Sequence, residues 1–157
     1  MNRFAAAPLT LILLVLGLAA CGGGGGGSAP SKADFAASAN KICTETQQHL
    51  QDLGKATSTE EVANQIDKVI GEMKTSVDKL KDLDQPDGAA GDAAQKFVNA
   101  TESDIDGKGV PALQDLRDAI KTKDQKAAQK AYQSLQAINT TNSQKLARAA
   151  GVKSCAN

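Results

Sequence analysis

The chain has 157 residues, with 18 basic and 18 acidic side chains, 3% aromatic residues and no tryptophan. A surface of such balanced charge gives no electrostatic footprint for nucleic acid, and so few rings offer no platform for stacking bases. The length suits one ordinary domain with a terminal extension.

Residues 1–20 have the layout of a secretory signal. Arg3 and the α-amino group form a positive start, and Leu9 to Leu18 form an apolar run interrupted by Thr10 and Gly17, too short to span a bilayer. Leu18-Ala19-Ala20-Cys21 then resembles the lipobox of bacterial lipoproteins, in which the cysteine is lipidated and becomes the mature N-terminus. That resemblance implies a membrane anchor through lipid on Cys21. Gly22 to Gly27, followed by Ser28, Ala29 and Pro30, make a glycine-rich linker without side chains to bury. Ten such residues span roughly 16–19 Å on a root-mean-square basis. The expected organisation is a signal peptide over 1–20, a lipidated cysteine and flexible linker over 21–30, and a helical domain over 31–157.

From Ser31 onward the periodicity is helical. Ser31 and Asp34 form a capping pair before Phe35, Ala39, Ile42, Thr46, His49 and Leu53, which recur at helical spacing until Gly54. Ser58 and Glu61 form a second capping box and open a long stripe from Val62 and Ile66 through Val77 and Leu80 to Leu83, stopped by Pro86-Asp87-Gly88. A third, weaker stripe carries Ala94, Phe97, Val98, Thr101 and Ile105. The segment from Asp106 to Pro111 is expected to interrupt it before Leu113, Leu116 and Ile120 resume. Asp124 caps a last helix bearing Ala128, Ala131, Tyr132, Leu135, Ile138 and Leu146, closed by Gly151. No run alternates as a strand does. The expected fold is all-α, an up-and-down four-helix bundle with the third helix interrupted.

With Cys21 assigned to the lipid, Cys43 and Cys155 remain as one pair in an exported chain, and a disulfide between them is the simplest outcome. In an up-and-down bundle this requires the segment after Gly151 to fold back along the first helix.

Few residues promise chemistry. His49 is the one histidine, four residues after Glu45, which raises a metal or haem ligand assisted by a carboxylate. Di-iron bundles repeat a Glu-x-x-His motif on two helices, and this chain has no second histidine. Asp104 and Asp106 before Gly107 look like the first half of a calcium loop, but its twelfth position is Leu113 where a bidentate glutamate is needed. No nucleophile stands with a base in any catalytic motif. The expectation is no enzyme and no cofactor.

The whole resembles a group of small lipoproteins from high-GC Gram-positive bacteria, on Leu18-Ala-Ala-Cys21, the glycine tether, Ala33-Asp34-Phe35 with Ile42-Cys43, and Ala147-Arg-Ala-Ala-Gly151 before Cys155. The resemblance implies anchorage on the outer face of the cell membrane and supports the 43–155 bridge; it implies no activity. The functional expectation is a non-catalytic helical module that contacts an envelope protein or holds a small apolar ligand between helices. The alternative is a metal or haem carrier using His49.

Overall fold

A computed structural model describes residues 28–51 and 58–156. The signal segment, Cys21, the glycine run, and Leu53 and Gly54 lie outside the described residues. The regular structure among the described residues is all helical, without a strand: α1 Lys32–Gln51, α2 Thr59–Lys81, α3 Gly88–Asp104, a π-helical segment Ile105–Gly109, α4 Val110–Thr122, α5 Gln125–Gln136 and α6 Thr141–Ala150. No described helix is long and apolar enough to cross a membrane.

The capping residues set the helix starts. The Asp34 amide donates to the Ser31 hydroxyl at 3.2 Å, and the Asp34 carboxylate accepts from the Ser31 amide at 3.1 Å. Ser58 and Glu61 make the same reciprocal pair before α2, and Asp124 accepts from the Lys126 and Ala127 amides at 3.0 Å before α5. Each cap satisfies amide groups that a helix start leaves without an intrahelical partner.

The third helix is not interrupted where a break was expected. α3 passes through the π-helical segment directly into α4, and the Val110 amide donates to the Ile105 carbonyl five residues back. Pro111 has no amide hydrogen and would clash with a carbonyl four residues earlier in a regular helix. Widening the preceding turn relieves that clash without leaving the helical course. At Gly109 a Cβ would meet the Asp104 carbonyl at 3.4 Å and the Met73 methyl at 3.5 Å, ordinary packing contacts that do not demand glycine.

The last helix departs in the opposite sense. A single helix was expected from Asp124 to Gly151, and the chain instead divides between Gln136 and Thr141. The sequence here is Ile138-Asn139-Thr140-Thr141-Asn142-Ser143, rich in side chains that compete for backbone partners. Asn139 accepts from the Thr141 amide at 2.9 Å, and the Ser143 hydroxyl donates to the Thr140 carbonyl at 2.9 Å. Those local bonds replace helical ones.

The apolar interior falls into two clusters. One gathers Phe35, Ala39 and Ile42 of α1, Leu80 of α2, and Phe97 and Val98 of α3 with Ala147, Ala150, Val152 and Ala156 at the C-terminal end. The other gathers Ile66 and Ile70 of α2 with Val110, flanked by Ile105, Leu113, Leu116 and Ile120. α1 packs on α2, α6 packs on α3, and α5 packs on α4. Tyr132, expected on an apolar stripe, is 55% exposed because α5 buries only Ala131. Small residues dominate the α6 contact: Ala147 and Ala150 are fully buried, which lets its backbone approach α3 closely.

After α6 the chain turns back. Gly151 ends the helix with φ +86°, the left-handed conformation glycine adopts without penalty. Residues 152–156 then run beside α1, with Val152 fully buried. Cys43 and Cys155 stand at disulfide distance, their Cα atoms 5.5 Å apart.

Candidate functional site

Several hydroxyls stand on otherwise apolar stripes, and the fold collects them. Thr46 of α1 meets Ser76 of α2, and Ser76 is one of two buried polar residues among the described ones; the other is Ser143 of α6. Thr101 lies at the end of α3. These side chains line a cavity of about 240 Å³ together with Cys43, Cys155, Leu80 and Ile105. Gln47, Asp104, Thr140 and Gln144 complete its wall. The two irregular points of the fold therefore border one space: Asp104 and Ile105 at the onset of the π-helical segment, and Thr140 at the break before α6. π-helical insertions frequently mark functional sites.

The hydrogen bonding around the cavity is uneven. The Thr101 hydroxyl donates to the Phe97 carbonyl at 2.9 Å, and that of Ser143 to the Thr140 carbonyl. The Gln47 amide donates to the Ser154 carbonyl at 3.0 Å, and the Gln144 amide to the Thr140 hydroxyl at 3.3 Å. Thr46 lies 2.8 Å from the Ile42 carbonyl and Ser76 lies 2.7 Å from the Glu72 carbonyl, while their hydroxyls also meet each other. A hydroxyl carries one proton. One of the two therefore donates across the interface and the other donates to its own helix. The hydroxyl protons of Thr46, Ser76, Thr101 and Ser143 are engaged, whereas the Thr140 hydroxyl only accepts, from Gln144, and each glutamine amide donates through one of its two N–H groups.

Asp104 is the one acid of the wall. Its carboxylate is 13% exposed and accepts from Lys108 at 2.6 Å, one turn further along; the Lys108 side chain is 50% exposed. A larger groove of about 360 Å³ between α4 and α5 mixes Asp115 and Asp118 with Lys130, the pattern of a solvated charged surface.

Comparison with family models, curated proteins and solved structures finds no match.

The ligand candidates from the sequence are dispersed. His49 stands outside the cavity, its Nδ1 3.0 Å from a Glu72 oxygen and its ring 55% exposed. Glu45 pairs with Lys41 at 3.8 Å. Asp106 borders a separate depression with Lys74 and Asp78, and Asp104 and Asp106 sit on helical backbone in place of a calcium-loop fold. Among the described residues, no group of three or more His, Cys, Asp or Glu side chains is placed to hold a metal ion. The cavity itself was not foreseen. Its signal was present in Thr46 and Thr101, hydroxyls occupying stripe positions where the helical period calls for apolar side chains.

Proposed function

We propose that the protein is a lipoprotein of the extracytoplasmic membrane face, anchored by acyl chains on Cys21 and acting through a non-catalytic, ligand-binding helical domain. The antiparallel pairing of Thr46 with Ser76 and of Lys81 with Glu102 supports an up-and-down bundle. In it, the α3–α4 and α5–α6 courses each count as one irregular helix.

The observation that carries this reading is the approach of Cys155 to Cys43 by a tail that folds back along α1. A bridged pair belongs to an oxidising compartment, which agrees with an export signal ending in Leu-Ala-Ala-Cys and disagrees with a cytosolic life. Binding, in place of catalysis, is supported by a cavity lined with hydroxyls, amides and one ion-paired acid, without a nucleophile set beside a base.

Mass spectrometry of the native N-terminus tests the anchor: it should find diacyl- or triacylglyceryl Cys21. Cys21→Ser should release the chain from membranes. An intact, unacylated first twenty residues in the cytosol would overturn the proposal.

A further inference from the structure

We infer that the cavity lined by Thr46, Ser76, Thr101 and Ser143 takes an uncharged ligand, a compact apolar molecule carrying one hydroxyl group. The inference names a ligand class for the binding reading above and rests on it, but it does not depend on the anchor.

Place is the first argument. The wall draws on both apolar clusters: Leu80 belongs to the one around Phe35, Cys43 and Cys155 flank it, and Ile105 flanks the one around Ile66. The cavity is thus a gap where the two parts of the interior meet. Close-packed interiors leave few voids of this size. Its volume of about 240 Å³ exceeds the roughly 150 Å³ that admits benzene. A saturated ring of similar size fits in the space, with Leu80, Ile105 and the cysteine sulfurs as its apolar wall.

Charge is the second. Asp104 is the one acid of the wall, its side chain is 13% exposed, and Lys108 already matches it at 2.6 Å. No lysine, arginine or histidine stands among the described lining residues. A cation therefore meets no free counter-charge in the cavity, and an anion meets none either. Either ion would lose its hydration without return, a cost that an uncharged molecule does not face.

Hydrogen bonding then selects a hydroxyl. Ser76 and Ser143 are buried, and their protons and those of Thr46 and Thr101 are engaged, so these four oxygens keep acceptor capacity. Gln47 and Thr140 are exposed and Gln144 is half-buried, which puts them at the rim. There each glutamine keeps a second N–H, and Thr140 keeps its proton. A ligand hydroxyl can give its one proton to an inner oxygen and accept from the rim. A ligand with acceptors alone would strip water from the inner oxygens and give nothing back.

The test titrates the intact chain with cyclohexanol and follows the backbone amides of residues 101–105 and 140–144 by NMR. Cyclohexanone, cyclohexylammonium and cyclohexanecarboxylate are the comparators. Saturable shifts with cyclohexanol are expected, with an affinity about fivefold above that of cyclohexanone, the difference of one hydrogen bond. Both ions should bind more weakly still. Thr101→Leu, whose larger side chain occupies the space, should abolish the shifts. Gln144→Ala, at the rim, should weaken cyclohexanol about fivefold and keeps the test open should the first variant fail to fold. Equal affinity for cyclohexanone, or tighter binding of either ion, would overturn the hydroxyl assignment and leave the ligand-binding reading standing. Silence of those amides toward all four probes would overturn both.

Discussion

Asn40 holds the C-terminal tail at two points, accepting from the Ser154 amide at 2.7 Å through Oδ1 and donating to the Gly151 carbonyl through Nδ2 at 3.4 Å. The side chain thus replaces the helical partners that the backbone loses at Gly151. Asn40→Ala leaves the Ser154 amide without its acceptor at a half-buried place. A loss of about 1–3 kcal/mol in urea unfolding is expected.

The Cys43–Cys155 link closes a loop with a sequence separation of 112 residues. Chain entropy assigns such a crosslink roughly 4–5 kcal/mol. Non-reducing peptide mapping should recover the two cysteines in one linked peptide. Unfolding curves with and without reductant should differ by an amount of that order, and identical curves would remove the bridge from the stability of the fold.

Thr46 and Ser76 form a coupled pair, since only one hydroxyl donates across the interface. Thr46→Val or Ser76→Ala alone should each cost about 1–2 kcal/mol, by removing one partner and leaving the other half-satisfied. The double variant should cost clearly less than the sum of the two, because both polar groups leave together. Additive costs in the double-mutant cycle would contradict the shared proton.

Ala147 is fully buried in α6, which packs on α3. Ala147→Leu adds volume where no space is left, and should destabilise by about 1–3 kcal/mol. A neutral result in thermal unfolding would mean that the contact is looser than its burial implies.

The Arg117 guanidinium hydrogen-bonds the Asp67 carboxylate at 2.7 Å and holds it below its ordinary value of 3.8. A carboxyl lowered in the folded state favours folding above the unfolded value, and that contribution fades as pH falls through the folded one. Stability should therefore drop as acid takes the solution below about pH 4, with a shallower decline in Asp67→Asn. Because Asp67 is 43% exposed, added salt should shrink the difference.

Local rules were legible in the sequence and long-range ones only in part. The Ser31–Asp34 and Ser58–Glu61 pairs, the Asp124 cap and the Gly151 stop depend on neighbours within a few residues, and each takes the structure its residues dictate. The Cys43–Cys155 approach was legible because three cysteines with one assigned leave a single pair, and the tail folds back as that pairing demands. The π-helical passage before Pro111 was not legible: a proline preceded by glycines reads equally as a break or as a widened turn, and packing of Ile105 and Val110 against α2 decides between them. The division before α6 was hidden by an apolar period that continues through Ile138 to Leu146. The cavity depends on four helices meeting, so no local pattern announced it. Thr46 and Thr101 counted as stripe residues by their spacing, although their hydroxyls line the space.

An interior split into two clusters has a dynamic consequence. The cluster around Phe35 and Phe97 contains both cysteines at its edge, whereas that around Ile66 and Val110 has no covalent link among its members. The α4–α5 end of the molecule is then free to open as a separate cooperative unit while the other end stays shut. Amide protons of Leu116 and Ile120 would exchange with solvent well before that of Phe97, a gradient of protection along one continuous helical course.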